Sequence, residues 1–145
     1  MSDLIRLGYG ARPWQPSPDA ELVAEYQFYD IPLSGILRQG GLEYLFLCLD
    51  GAEANVSLWW YTQVTAERRQ WLESAPDQQE FNRRLHVTDY EGWSRLAIAT
   101  ERGGIFDYED VADEGGYLSS ALKTLVERVD SVLGEAHDRH VAQSA

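Results

Sequence analysis

The sequence has little that would cross-link the chain or anchor it in a membrane. Its 145 residues contain one cysteine, which excludes a disulfide framework and a zinc site built from several cysteines. No run of apolar residues approaches the roughly 18 that cross a bilayer. The first residues, MSDLIR, include an acid and no long apolar stretch, unlike a signal peptide. We therefore expect a cytoplasmic protein.

Residue types that commonly perform catalysis are also scarce. The chain has three histidines, one cysteine and one lysine, and it has no nucleophile-elbow, phosphate-loop, dinucleotide-binding or zinc-protease motif. Cys48 falls in the most apolar segment, which predicts an inert thiol. His137 and His140 could share one helical face, but a zinc site needs more ligands than this pair. We expect no metal and no cofactor, and the composition favours a non-enzymatic protein without deciding the point.

Acidic residues outnumber basic ones by 24 to 12, which gives a net charge of −12. Such a charge repels the phosphates of nucleic acids and anionic lipid surfaces. We therefore expect neither a nucleic-acid nor a membrane partner, and a protein partner would have a basic surface. Residues 87–114 carry eight acids and two bases, a net of −6. The densest part of this acidic segment holds five candidate partner-binding residues: Asp107, Glu109, Asp110, Asp113 and Glu114.

The acidic segment allows two interpretations. A run of charge is commonly a solvated loop that aids solubility. It can also be a docking face, because complementary charge raises the rate at which a partner associates. Both interpretations stay open on the sequence alone.

Alternating and aromatic-rich segments predict a β-sheet. The predicted strands are, in order, residues 25–29, 36–38, 42–50, 55–64, 93–100 and 105–108. Gln39-Gly40-Gly41 predicts a hairpin turn between the second and the third. One short helix is predicted to begin at Thr65 and to break at Pro76, and another spans residues 78–86.

The last predicted element has the clearest periodicity. Apolar residues recur at helical spacing over about five turns: Leu118, Leu122, Leu125, Val129, Val132 and Ala136. Such a stripe suits packing on a sheet better than a two-stranded seam, which normally continues for more heptads. The predicted fold class is therefore α+β: a mostly antiparallel sheet of five to six strands with two short helices and a long C-terminal amphipathic helix packed on one face.

The length predicts a single domain. Residues 1–20 contain three of the five prolines and little periodicity, which indicates an extended arm. Residues 21–138 are predicted to form the α+β domain. Residues 139–145 are predicted to be a disordered tail.

Aromatic residues make up 12% of the chain, and Trp59-Trp60-Tyr61 is their densest cluster. Neighbouring strand residues point to opposite faces, so Trp59 and Trp60 cannot enter the same core layer. If helices cover one face only, either Trp59 with Tyr61 or Trp60 lies on the other face, and Trp59 and Tyr61 are the candidate anchors for a partner there. The alternative is that the arm, which carries Trp14, folds back over that face.

A short motif and its surroundings resemble a known family. Tyr29-Asp30-Ile31-Pro32-Leu33 precedes a glycine-turned hairpin into Tyr44-Leu45-Phe46, and a later strand leads into a helix at Thr65. This arrangement, over residues 25–85, resembles a loose family of small uncharacterised bacterial proteins with a YDxPL motif. The resemblance implies a similar fold and no particular activity. By analogy, small acidic bacterial domains of this build act as immunity or accessory proteins to toxins and defence systems.

The favoured function is a non-enzymatic acidic protein-interaction domain. It would be an immunity, inhibitor or accessory protein that binds a basic partner through the acidic segment and exposed aromatics. The alternative is a small-molecule-binding domain or minor enzyme, with Trp59, Tyr61 and Arg95 lining a pocket beside the sheet. A homodimer formed through the last helix or a bare sheet face is a third hypothesis.

Overall fold

The computed structural model describes residues 4–50, 56–85, 93–100 and 104–112. These residues form six strands and two helices, and the helices interrupt the run of strands after the fourth. The strands are β1 Glu21–Tyr29, β2 Ile31–Gln39, β3 Leu42–Asp50, β4 Val56–Gln63, β5 Trp93–Thr100 and β6 Gly104–Ala112. The helices are α1 Ala66–Glu73 and α2 Gln78–Leu85.

The strands form one sheet in which each strand pairs antiparallel with its neighbours in sequence. Consequently β1 and β6 are its two edges. Gly40 and Gly41 join β2 to β3 with φ angles of 60° and 80°, in the left-handed region that glycine tolerates. The turn from β1 to β2 is sharper, because Tyr29 pairs with Ile31 across Asp30 alone.

Alternating side chains divide the core into two layers, one on each face of the sheet. The first face packs Trp60 with residues of β2, β3 and β5, which include Ile36, Leu45 and Ile98. The second face packs Trp59 with residues of the same three strands, which include Leu37, Phe46 and Ala97. Both tryptophans are fully buried, so both faces of the sheet are covered.

Two short helices pack on the first face. The hydroxyl oxygen of Thr65 caps α1 by accepting a hydrogen bond from the N–H of Arg68 at 3.1 Å. Leu72 of α1 and Leu85 of α2 are completely buried in this layer. Each buried leucine contributes roughly 2 kcal/mol to stability through the loss of exposed apolar surface. No helix in the described ranges is long and apolar enough to cross a membrane.

The arm covers the second face. Two of its apolar residues are buried in this layer, Ile5 and Leu7. The ring of Trp14 lies against that of Trp59, with 6.1 Å between their centroids. The arm also pairs with the start of β6, because the N–H of Gly10 donates to the carbonyl of Ile105 at 2.7 Å. The arm therefore occupies the face that the sequence pattern left open.

The predicted fold class is corrected by this architecture. The prediction places a long C-terminal amphipathic helix on one face, whereas the structure shows a six-stranded antiparallel sheet with two short helices and, over the described ranges, no long helix. Residues 118–136, for which the spacing predicts that helix, lie outside the described residues. Helical spacing identifies an apolar stripe, but it does not specify which surface the stripe covers. In the described part of the chain, α1 and α2 pack on the first face and the arm packs on the second.

The last strand is longer than the sequence pattern predicts. The pattern ends this strand at Tyr108, but β6 continues to Ala112 and pairs with β5 along its length. Aspartate and glutamate are poor strand formers, and pairing with a buried neighbour overrides that preference. Asp107, Glu109 and Asp110 therefore lie on an edge strand and not in a loop.

Candidate interaction surface

The two aromatic anchors that the sequence suggests are interior residues. Trp59 and Tyr61 are 0% and 1% exposed. The hydroxyl of Tyr61 donates to the carbonyl of Pro13 in the arm at 2.7 Å, and burial raises the pKa of this tyrosine well above its usual value. The arm covers both rings, so neither of these two predicted partner-binding residues is exposed in the described structure.

The pocket that the alternative hypothesis places beside the sheet is filled by the chain itself. Trp14 lies over Trp59, and the guanidinium of Arg95 is held on three sides. It donates to the carbonyl of Ile5 and to the carboxylate of Asp110, both at 2.6 Å. It also lies 4.8 Å from the centre of the Tyr108 ring. These contacts fasten the arm to β5 and β6.

The acidic residues predicted to bind a partner have different environments on β6. Asp110 is ion-paired with Arg95. Asp107 accepts a hydrogen bond from the N–H of Tyr108 at 2.9 Å. One carboxylate oxygen of Glu109 is buried and, within the described part of the chain, accepts no hydrogen bond. Two further predicted residues lie outside the described residues, Asp113 and Glu114.

Neutralising Asp110 should loosen the arm. The Asp110→Asn variant loses the ion pair with Arg95, so we expect the free energy of unfolding to fall by about 1 kcal/mol. Hydrogen exchange at the Arg6 amide, which donates to Oε1 of Gln39 at 2.7 Å, should become faster. Asp30→Asn is the control, because no described residue forms an ion pair with that exposed carboxylate. Equal exchange rates in the two variants would contradict the anchoring role of the ion pair.

Most of the described arginines form ion pairs with aspartate or glutamate side chains of the same chain. Glu80 receives hydrogen bonds from both Arg83 and Arg84, which lower its pKa to about 2. A carboxylate of this kind stays charged at neutral pH and is a poor general acid or base. Other pairs between described residues are Arg6–Asp19, Arg38–Glu43, Arg69–Glu43, Arg69–Glu73 and Arg95–Asp110.

An open groove of about 360 Å³ lies beside α1. Glu43 and Glu73 line it, and both are bound to Arg69, at 2.9 and 3.1 Å. Burial alone would raise the pKa of Glu43, but hydrogen bonds from Arg69 and Arg38 outweigh it and lower the pKa. Burial, together with a hydrogen bond donated to Glu73 at 2.8 Å, raises the pKa of Tyr26. Both carboxylates of the groove are therefore held by Arg69, and Arg38 binds Glu43 as well.

The first edge of the sheet carries acidic side chains that no described residue neutralises. Glu21, Glu25 and Asp30 are exposed, and no ion pair holds any of them within the described ranges. Phe28 and Tyr29, which precede Asp30, are 61% and 63% exposed. We refer to Glu25, Phe28, Tyr29 and Asp30 as the β1 tip. Two exposed rings and two carboxylates that no described residue pairs with therefore occur at one end of β1.

No sequence argument singles out the β1 tip. An aromatic-rich strand pattern predicts buried rings, and the YDxPL motif indicates no binding surface. Asp30 offered a usable indication, because aspartate adopts positive φ more readily than most residues and here has φ of 62°. This tight turn ends β1, which is an edge strand, and the rings of Phe28 and Tyr29 just before the turn are exposed.

The other residues considered for chemistry form no site in the described structure. Cys48 is half-buried on β3, a more accessible position than its apolar neighbours predict. No group of three or more histidine, cysteine or acidic side chains that could hold a metal ion occurs among the described residues. The three histidines lie outside them, at His86, His137 and His140.

The sequence matches no family model, and no curated protein or solved structure is significantly similar to it. The resemblance of residues 25–85 to proteins with a YDxPL motif therefore stays a prediction. The features that bear on function are the β1 tip, the internally paired arginines and the net charge. Together they describe an acidic surface with exposed aromatic rings.

Proposed function

We propose that this protein is a non-enzymatic interaction domain that binds a basic partner protein, as an immunity, inhibitor or accessory protein does. Most of its described arginines are held in internal ion pairs. Internal pairing does not change the net charge, so the chain still carries −12. A basic partner is attracted by such a field and associates faster than a neutral one.

The β1 tip is the observation that carries the proposal. Interfaces gain affinity from a few large anchors, and complementary charge supplies specificity and rate. Exposed rings and carboxylates that no described residue pairs with occur together at the β1 tip. On the opposite edge, Asp110 forms an ion pair with Arg95, so this carboxylate is less able than those of the β1 tip to bind a cation of a partner. The first edge is therefore favoured over the acidic segment as the docking surface.

A selection of random peptides displayed on phage tests the proposal without a known partner. The purified wild-type chain is the bait, and the enriched peptides are sequenced and synthesised. We expect enrichment of arginine and lysine, and an affinity that weakens as salt is raised, because exposed charges are screened. Neutral or acidic enriched peptides, or an affinity insensitive to salt, would contradict the proposal.

Neutralising the β1 tip should weaken binding of the selected basic peptide about tenfold. Glu25→Gln/Asp30→Asn removes two charges and keeps the turn, because asparagine also tolerates positive φ. Glu67→Gln/Asp77→Asn removes the same charge from the helical region and should weaken binding of the peptide by about twofold or less. Calorimetric titration measures both dissociation constants. Equal losses would show that net charge alone matters and would remove the β1 tip from the proposal.

A further inference from the structure

We propose that the β1 tip docks by cation–π contacts, in which arginine or lysine side chains of the basic partner stack on Phe28 and Tyr29. Because neighbouring strand residues point to opposite faces, each ring takes its own cation, and the carboxylates of Glu25 and Asp30 add to the attraction at this end of the strand. This inference rests on the proposed function and identifies the surface and the chemistry through which that function acts.

The tight turn at Asp30 holds both rings at the edge of the sheet. Asp30 has φ of 62°, a conformation that non-glycine residues seldom adopt. Such conformations persist where the surrounding structure holds them, and they cluster at binding sites. Since Tyr29 already pairs with Ile31 across the turn, the strand has no further residues that could cover the rings. Phe28 and Tyr29 are therefore presented to solvent by a defined backbone and not by a loose loop.

Arginine stacked on an aromatic ring is a recurring contact within this protein. Arg68 and Arg84 lie 5.0 and 5.1 Å from the ring of Trp71. Within the described ranges, Phe28 and Tyr29 have no such contact. A cation placed between a ring and a carboxylate is attracted by both, and the attraction grows as water is excluded. An external guanidinium can therefore take at the β1 tip the position that internal guanidinium groups take at Trp71.

Strand addition is the main competing mode, and β1 is a poor template for it. The pairing of β1 with β2 shifts register between Leu22 and Ala24, between Glu25 and Gln27, and between Gln27 and Phe28. Such bulges interrupt the regular row of backbone donors and acceptors that an added strand requires. Side-chain docking at the β1 tip is therefore favoured over backbone pairing along β1.

Tyr9 supplies a control within the same protein. Its ring is 70% exposed, but it stacks on Tyr108 of β6 with 5.8 Å between the centroids. Because β6 is the other edge of the sheet, Tyr9 is remote from the β1 tip. A role specific to the β1 tip predicts that Tyr9→Ala leaves binding unchanged.

The test measures the affinity of the selected basic peptide for Phe28→Ala/Tyr29→Ala and for Tyr9→Ala. Loss of two interface anchors should weaken binding roughly thirtyfold. Tyr9→Ala should stay within about twofold of wild type. All these rings are exposed, so each variant should unfold at the urea concentration of the wild type. A loss below about tenfold in the double variant, or an equal loss in Tyr9→Ala, would overturn the inference.

A second peptide separates this inference from the proposed function. It replaces every arginine and lysine of the selected peptide by glutamine. If it binds as tightly as the basic peptide, or if no basic peptide is enriched, the proposed function fails and the inference fails with it. If the basic peptide keeps its advantage but binds the ring variant as tightly as wild type, only the inference fails. A peptide that binds as an added strand would give this last result.

Discussion

Replacing Trp59 with alanine is expected to lower the free energy of unfolding by about 4 kcal/mol. The side chain is 0% exposed and packs between Trp14 and Phe46, with centroid distances of 6.1 and 6.2 Å. Alanine leaves a cavity between the sheet and the arm. Ser57 also loses the indole N–H that donates to its hydroxyl at 2.7 Å. Urea unfolding followed by circular dichroism measures the change.

Phe28→Ala is the matched control, because it truncates a ring that is 61% exposed. It should change the free energy of unfolding by no more than about 0.5 kcal/mol. Trp59→Phe keeps a ring in the core, so its loss in free energy of unfolding should lie between those of Trp59→Ala and Phe28→Ala. It supplies the measurement if Trp59→Ala does not fold. A cost for Trp59→Ala no larger than that for Phe28→Ala would refute burial of this tryptophan beneath the arm.

Gly35→Ala should also destabilise the protein strongly, by about 3 kcal/mol. A Cβ at this position would lie 2.2 Å from the carbonyl oxygen of Ala24 and 3.1 Å from Cε1 of Phe46. The first contact involves backbone, so it is relieved only if β1 moves away from β2. Because β1 is an edge strand, we expect it to loosen first, with faster hydrogen exchange in β1 than in β5.

Gly40→Ala separates steric contact from backbone conformation. Gly40 has φ of 60°, but a Cβ there would meet no atom within 4 Å. Backbone strain alone should cost about 1 kcal/mol. Both glycine variants are compared by urea unfolding. If Gly35→Ala proves no more damaging than Gly40→Ala, the close approach of β1 to β2 is refuted.

Local patterns were sufficient where neighbouring residues decide the structure. Gly40 and Gly41 predict a hairpin, and they join β2 to β3 with positive φ angles. Thr65 predicts a helix start, and α1 begins at the next residue with the Thr65 hydroxyl as its cap. These features depend on backbone conformation and on hydrogen bonds over a few residues. Such information is contained in a short stretch of sequence.

Contacts between distant residues decided the candidate site. Asp110 looks like a free acid in the sequence, and its partner Arg95 lies 15 residues away on the neighbouring strand. Tyr61 looks like a candidate surface ring, and the Pro13 carbonyl that covers its hydroxyl lies 48 residues away. Charge and aromatic content therefore did not reveal which members of either group remain exposed. That depends on which segments pack together.

The amino-acid order alone determined the acidic character of this protein, several strands and turns, and the cap of its first helix. Tertiary packing decided that the arm covers Trp59 and that Arg95 forms an ion pair with Asp110. It also decided that Phe28 and Tyr29 stay exposed to solvent. The reason is that composition and local conformation are properties of short segments, whereas exposure is a property of the whole packed surface. A side chain becomes available to a partner only when no other part of its own chain has already covered it.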